Sequence, residues 1–194
     1  MGTIVAAEYV SMDGVMQDPG GVGEIEVGGW TNPYWNAELA DLQSDLLFAS
    51  EALLLGRVTY EGFAAAWPDM EHEEGTFAEK MNRMPKYVAS RTLKTLEWNA
   101  TLLEGDVAAA IGDLKRESDR TFLIYGSGSL LRLLTNHNLI DRYRLMIHPV
   151  VLGQGKTLFA HDDPKKKEFR LIESRTTGTG VAVIDYAPAA NDGR

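Results

Sequence analysis

The segment Thr121–Leu134, TFLIYGSGSLLRLL, constrains the fold more than any other part of the chain. It combines a short apolar run at 122–125, a loop of small residues at 126–129 and leucines at helical spacing. This order predicts a strand, a tight glycine loop and a helix. Free N–H groups and the positive end of the helix dipole converge at such a junction, and glycine lets an anion approach the backbone. The segment therefore predicts a phosphate-binding loop at the end of a buried strand.

The other segments alternate between strand and helix patterns. Predicted strands cover 3–10, 51–55, 86–90, 101–104, 143–152, 169–173 and 180–186, and predicted helices cover 36–49, 59–66, 77–83 and 106–118. Asn36 and Asp106 are predicted helix caps, and Thr76 with Glu79 fits a capping box. The order predicts an α/β fold with a central mixed, mostly parallel sheet and helices on both faces. We expect one domain over 1–187 and a frayed tail over 188–194.

Composition and charge exclude several classes of function. The 194 residues are 44% hydrophobic and 24% charged, as in an ordinary globular protein. There is no cysteine, and the four histidines are scattered, so no metal site is expected. A net charge of -9 argues against nucleic acid or an anionic membrane as a partner. Without a membrane-length apolar run or a basic-then-apolar leader, a cytoplasmic location is expected.

Two further junctions resemble the first in having small or basic residues where a strand ends. Gly56-Arg57-Val58-Thr59 follows the strand at 51–55, and Ser90-Arg91-Thr92 follows the strand at 86–90. Carboxyl ends of parallel strands share one edge of a sheet, where open α/β sheets bind ligands. Three such ends suit a ligand with more than one phosphate, and Arg57 or Arg91 could recognise the extra ribose phosphate of NADP. The alternative interpretation is that each glycine-rich end is only a turn.

The sequence 153–157, GQGKT, resembles the end of a nucleoside-triphosphate-binding loop. The pattern requires a first glycine five residues before Gly155, and Val150 occupies that position. The residues that follow, Leu158 and Phe159, do not begin a helix pattern. Nucleoside triphosphate hydrolysis is therefore not expected.

A long loop at 15–33 contains five glycines and no periodicity. A loop of this length in a compact domain is commonly an active-site lid. Trp30 within it and Trp35 just after it favour a packed or pocket-lining segment over disorder. Asp13 stands at the root of this loop in an Asp-Gly turn. It fits a structural turn residue, or an acid that binds a polar substrate group or helps to deliver a proton.

Taken in order, these segments resemble the dihydrofolate reductase fold, and more closely the RibD C-terminal reductase domain of riboflavin biosynthesis. The resemblance is carried by five stretches that together span about Thr3 to Tyr186: SMDGVMQ at 11–17, LLLGRVTYE at 53–61, KYVAS at 86–90, YGSG at 125–128 and HPVVLGQG at 148–155. It implies NADPH as the cofactor, hydride transfer as the reaction and a homodimer as the assembly.

The resemblance also implies a set of site residues. The cofactor-binding residues would be Ala7, Val15, Met16, Gly56, Arg57, Thr59, Ser90, Arg91, Thr92, Gly126, Ser127, Gly128, Ser129 and Leu130. Within this set, pyrophosphate would lie at 126–129 and nicotinamide beside Val15 and Met16. Asp13 would be the catalytic residue in the substrate site. Trp30, Trp35, Gly153 and Gly155 would contact the substrate.

One departure from the family pattern limits the choice of substrate. The acid that holds the pterin ring in dihydrofolate reductases falls on Ala40, and Asp41 beside it is turned by about 100° on a helix. The leading hypothesis is an NADPH-dependent reductase of a small heterocyclic substrate, pyrimidine or pterin-like, or of a carbonyl compound. A nucleotide-binding module without turnover, a weak dihydrofolate reductase and a fold used only for assembly are the alternatives.

Overall fold

A computed structural model describes residues 1–159 and 166–189 and has one eight-stranded sheet. The strands are β1 (Thr3–Ser11), β2 (Ala52–Gly56), β3 (Lys86–Ala89), β4 (Ala100–Leu102), β5 (Thr121–Tyr125), β6 (Arg142–His148), β7 (Phe169–Thr176) and β8 (Ala182–Pro188). The helices are α1 (Ala37–Phe48), α2 (Arg57–Ala66), α3 (Glu71–Glu74), α4 (Thr76–Arg83), α5 (Val107–Arg116) and α6 (Gly128–Asn136). Two 3-10 turns lie at Asn32–Tyr34 and Trp67–Asp69.

The strand order across the sheet is β4-β3-β2-β5-β1-β6-β8-β7. The six strands from β4 to β6 are parallel, β8 is antiparallel to β6, and β7 is antiparallel to β8. The predicted mixed, mostly parallel sheet is confirmed. A parallel sheet needs both faces covered, which agrees with the continuous apolar runs of its central strands.

The sheet separates two hydrophobic cores. On one face the helices α1, α2 and α4 contribute Leu39, Tyr60 and Met81, and on the other α5 and α6 contribute Ile111 and Leu134. Successive residues of β1 alternate between the two cores. Helices on both faces are therefore confirmed, and the period-2 geometry of a strand explains how one apolar run serves two cores.

Helix caps illustrate where local sequence signals hold. Asn36 caps α1 by accepting the N–H of Leu39, and Asp106 caps α5 by accepting the N–H of Ala109. The capping box assigned to Thr76 is wrong. Thr76 is the first residue of α4, and Gly75, with a φ of +54°, precedes it.

Two other boundaries differ from prediction. α2 begins at Arg57 rather than at residue 59, because Gly56 ends β2 and leads directly into the helix. The strand predicted over 143–152 ends at His148, since Pro149 has no N–H to donate to a ladder. The frayed tail predicted from residue 188 overlaps β8, and the Ala189 N–H donates to the Glu168 carbonyl at 2.8 Å. Residues 190–194 of that tail lie outside the described residues.

Within the described part of the chain, no helix has the length and apolar character needed to cross a bilayer. The same residues contain no cluster of three or more His, Asp or Glu side chains that could hold a metal ion.

Leu123 offers a test of how much the central strands contribute to the free energy of unfolding. It is fully buried in β5, so Leu123→Ala should lower the free energy of unfolding by about 2–5 kcal/mol, because it removes apolar contacts and leaves a cavity. Chemical denaturation would measure the change. The matched control is Leu171→Ala in the outer strand β7, where the side chain is 55% exposed and the effect should stay within about 0.5 kcal/mol. Equal losses in the two variants would contradict this assignment of the core.

Candidate functional site

Three neighbouring strands end at one edge of the sheet. β2 lies between β3 and β5, and all three strands are parallel. Gly56 at the end of β2 pairs with Ala89 at the end of β3. Gly56, Ser90 and Gly126 therefore lie along one edge, since carboxyl ends of parallel strands face the same way. The predicted alignment of the three strand ends is confirmed.

Two hydrogen bonds tie the loop after β5 to the start of α2. The Ser127 hydroxyl accepts the Gly56 N–H at 2.9 Å, and the Thr59 hydroxyl accepts the Ser127 N–H at 3.0 Å. Gly126 and Ser127 both have a φ of +56°, which folds the chain sharply between strand and helix. A Cβ on Gly126 would lie 3.2 Å from the Thr59 hydroxyl. The two junctions thus form one rigid unit, which we call the paired loop (residues 56–59 and 126–129).

The paired loop brings two helix N-termini to the same edge. In α6 the first intrahelical bond runs from the Leu131 N–H to the Ser127 carbonyl, so the helix offers no acceptor to the N–H groups at 128–130. α2 begins at Arg57 after the extended residue Gly56, and its first N–H groups likewise have no acceptor within the helix. Two helix dipoles and several N–H donors converge here, which favours anionic groups.

The basic and hydroxyl side chains at this edge have different roles. Arg57 forms an ion pair with Glu61 at 2.8 Å, and both side chains are about half exposed. The Ser90 hydroxyl accepts the N–H groups of Thr92 and of the following residue, so it shapes the turn after β3. Arg91 and Thr92 are exposed. The guanidinium groups of Arg57 and Arg91 are therefore the side chains suited to an additional phosphate.

The start of the lid packs onto the paired loop. A Cβ on Gly128 would lie 2.6 Å from the Met16 sulfur, so the Met16 side chain lies against the first turn of α6. Val15 is buried and forms an isolated bridge with Thr157. Ala7 pairs with Tyr125 in the neighbouring strand, one residue before the loop begins. Leu130 is buried in the core beneath that loop.

Asp13 fastens two loops together. Its carboxylate accepts the Ser11 hydroxyl at 2.6 Å, the Gly153 N–H at 2.7 Å and the Leu152 N–H at 3.2 Å. The Ser11 hydroxyl and the Gly153 N–H lower the pKa of Asp13 to about 2. Asp13 is therefore ionised at neutral pH, and the proton-donor role considered from the sequence does not fit this geometry. The carboxylate instead holds the 149–155 loop against the end of β1.

Asp18 organises the lid from within. It is buried, and its carboxylate accepts the four consecutive N–H groups of residues 22–25 at 2.6 to 3.3 Å. A Cβ on Gly28 would overlap this carboxylate, which explains why glycine stands there. The lid is thus an ordered loop wrapped around one carboxylate, although its sequence has no periodicity.

Trp30 anchors the end of the lid. It is buried, and its indole N–H donates to the Gln17 carbonyl at 2.9 Å. Its ring packs edge-on against the His148 ring, with the two ring centroids 5.3 Å apart. Tyr9 and Tyr34 also contact the His148 ring edge-on. Burial lowers the pKa of His148, so the imidazole is neutral, with Nδ1 bonded to a carbonyl. Trp30 therefore packs the end of the lid against this histidine.

The other residues assigned to the substrate lie near the lid or at the surface. Gly155 has a φ of +112°, and a Cβ there would lie 2.7 Å from the Val15 side chain. The 153–157 segment therefore runs directly against the start of the lid. Trp35 is 51% exposed and immediately precedes the cap of α1.

Sequence reasoning missed Asp18 and the structural role of His148. The turn-forming run Asp18-Pro19-Gly20 was a usable signal for a carboxylate that binds backbone N–H groups. His148 gave no comparable signal, because its three aromatic neighbours come from distant parts of the chain.

The fold and this edge define the dihydrofolate reductase-like class of α/β proteins. The family model described as RibD C-terminal domain matches residues 3–183, and the chain belongs to this family. It is 30% identical over 145 residues to the uncharacterized protein YyaP of Bacillus subtilis (strain 168), covering 74% of this chain and 77% of that protein.

Solved structures of the same fold include several reductases. A Shewanella sp. PV-4 protein, provisionally assigned to riboflavin biosynthesis, superposes with a TM-score of 0.76 at 21% identity, over 96% of this chain and 99% of that one. The Thermotoga maritima diaminohydroxyphosphoribosylaminopyrimidine deaminase/5-amino-6-(5-phosphoribosylamino)uracil reductase gives 0.66 at 11% identity, over 97% of this chain and 57% of that one. Enterococcus faecalis dihydrofolate reductase, complexed with NADP(H), gives 0.61 at 13% identity, over 96% of both chains. At these identities the likeness shows the fold alone.

Replacing Asp18 should loosen the lid. Asp18→Ala removes the acceptor of four N–H groups, so amide hydrogen exchange over 19–30 should become about tenfold faster or more. Mass spectrometry of peptides from this segment would measure the rate. Asp41→Ala, which removes an exposed acid from α1, is the matched control and should leave the rate unchanged. An unaltered rate in Asp18→Ala would show that other contacts order the lid.

The Asp13 contacts should persist in acid. Because the folded pKa lies below the ordinary value of 3.8, the loop contacts are present above that value and are lost as pH falls through about 2. The amide chemical shift of Gly153, followed by NMR, should therefore titrate with a midpoint near pH 2. The same step should vanish in Asp13→Asn. A midpoint near 4 in the unmodified protein would contradict the hydrogen bonds described.

Proposed function

We propose that the protein is an NADPH-dependent reductase that transfers a hydride to a small heterocyclic substrate, pyrimidine or pterin-like, or to a carbonyl compound. The observation that carries the proposal is the paired loop, where two helix N-termini and three strand ends converge beside an ordered lid. Membership of the RibD C-terminal domain family and the reductases that share the fold support it.

The residues at this edge fit a phosphorylated dinucleotide. The N–H groups at 128–130 would bind the pyrophosphate, since a helix N-terminus stabilises anions. Arg57 and Arg91 would bind the adenosine-side phosphate, with Arg57 exchanging its Glu61 partner for the ligand. The nicotinamide would then lie near Val15 and Met16, where the lid meets α6.

The bound cofactor supplies the hydride, so no protein nucleophile is needed. The protein would hold the acceptor against the nicotinamide and exclude water, the latter by means of the lid fastened at Asp18 and Trp30. Asp13 is ionised at neutral pH and would position the 149–155 loop. The proton that accompanies the hydride would come from solvent.

Dihydrofolate is a poor candidate for the substrate. Asp41 on α1 is exposed, and the position expected to carry the pterin-binding acid is Ala40. One turn further along α1, the buried polar group is the amide of Gln43, which donates to the Tyr9 hydroxyl and accepts from Tyr125 at 3.4 Å. An amide hydrogen-bonded to two phenols supplies no carboxylate for a protonated pterin.

A homodimer, expected from the resemblance, is also part of the proposal. β7 is the outermost strand on its side of the sheet, and it exposes Leu171 and Ile172. Such an edge strand can pair with a second copy. Light scattering on a size-exclusion column would give the molar mass, and a monomer at all concentrations would exclude the dimer.

The central test is binding followed by turnover. NADPH should quench the tryptophan fluorescence of the purified protein, and its absorbance should fall when a suitable pyrimidine, pterin or carbonyl acceptor is added. Binding without oxidation across such a panel would favour the nucleotide-binding module without turnover. Absence of binding would exclude both functions.

Gly126→Val should weaken NADPH binding by about tenfold or more, because a β-branched residue is strained at a φ of +56° and its Cβ would press on Thr59. Fluorescence titration would measure the dissociation constant. Gly62→Ala is the matched control, since Gly62 lies in α2 with open space around it. The proposal fails at this point if both variants bind NADPH as tightly as the unmodified protein.

A further inference from the structure

Glu8 is a carboxylic acid in the middle of the apolar strand β1. It follows Ala7, which pairs with Tyr125, so Glu8 stands opposite Gly126 at the start of the paired loop. On the other side of β1 its neighbour in the ladder is Leu145. Only 2% of Glu8 is exposed.

The carboxyl group of Glu8 is incompletely satisfied. Its Oε1 atom has no hydrogen-bond partner within residues 1–159 and 166–189. Burial raises the pKa of Glu8 well above its usual range, and the Gly126 backbone amide opposes this only in part. Burial therefore favours the neutral form of this acid, which has one O–H donor and one carbonyl acceptor. An unpaired buried polar atom costs free energy, so its retention here calls for a partner.

The position of Glu8 indicates which partner is available. Strand residues alternate in direction, and Ile4, Ala6 and Val10 on β1 belong to the core under α5 and α6. Glu8 therefore lies on the same face of β1 as these three residues. Met16 packs against the same core, and its side chain also lies against Gly128. Glu8 is thus close to the corner where β1, the paired loop and the start of the lid meet. In the proposed function this corner receives the nicotinamide ring.

We propose that Glu8 is a positioning residue that binds the carboxamide of the nicotinamide ring, an inference that rests on the proposed function. A primary carboxamide presents an N–H donor and a carbonyl acceptor side by side, and a neutral carboxyl group presents an O–H donor and a carbonyl acceptor in the same arrangement. The two groups form a matched pair of hydrogen bonds, and no proton or electron is transferred. Met16, whose side chain is flexible, is the group that must shift to admit the ring.

The test compares ligands with and without the carboxamide. NADPH contains it, the 3-acetylpyridine analogue of NADPH keeps the carbonyl but lacks the N–H donor, and 2′,5′-ADP lacks the whole ring. Glu8→Met should raise the dissociation constant of NADPH about tenfold, because two neutral hydrogen bonds are lost, and leave that of 2′,5′-ADP unchanged. The preference for NADPH over the acetylpyridine analogue should shrink in the same variant. Glu8→Gln, which keeps one donor and one acceptor, should retain both the affinity and the preference.

Infrared spectroscopy keeps the inference testable if Glu8→Met does not fold. The carbonyl stretch of a protonated carboxyl group, identified by its loss in Glu8→Gln, should move to lower frequency when NADPH is added to the unmodified protein. It should not move with 2′,5′-ADP. An unmoved band, or a Glu8→Met variant that weakens both ligands equally or neither, overturns the role of Glu8 alone. An unmodified protein that binds 2′,5′-ADP and NADPH equally well also overturns it, whereas one that binds neither removes the proposed function as well.

Discussion

The hydrogen bonds between Ser127 and the β2–α2 junction set the geometry on which the rest of the site depends. Without them the loop after β5 and the start of α2 would be two separate turns on neighbouring strands. With the Ser127 hydroxyl and N–H both engaged across the gap, the two helix N-termini are held side by side. The Ser127 hydroxyl also donates to the Tyr125 carbonyl, so its proton is not available to a ligand. The Thr59 hydroxyl only accepts the Ser127 N–H, so its O–H can still donate to an anion beside the backbone N–H groups and the two arginines.

Three acidic side chains have two different roles around this edge. Asp13 and Asp18 lie where the chain has no helix or strand to satisfy its N–H groups, and each carboxylate accepts several of them. They give irregular segments a fixed shape. Glu8 lies within a strand whose backbone groups are already paired, so its carboxyl group finds few donors, and burial raises its pKa. The difference follows from the backbone around each acid, because the three carboxyl groups themselves are chemically alike.

Element type was predictable along most of the chain, whereas several boundaries were not, among them the start of α2 and the end of β6. α1 and α5 were found with their caps because leucines and alanines recur at helical spacing after Asn36 and Asp106. The capping pattern at Thr76 is misleading because Gly75, with its positive φ, ends α3, and α4 begins at Thr76 itself. α3, a single turn, is too short for a periodic pattern to show. The glycine junctions of the site were visible because tight turns and close approach need that residue.

The alternation of strands and helices can be read from residue patterns alone. It also fixes which strand ends lie together, since parallel strands joined by helices all end on the same side. The role of each polar residue at that edge emerges only once the chain is folded. Asp13 binds the 149–155 loop, Trp30 packs the lid on His148, and Glu8 is a buried acid with a raised pKa, because each of these depends on partners distant in the chain. Local sequence patterns predict the backbone conformation, whereas the protonation and hydrogen bonding of a side chain depend on neighbours that only folding brings together.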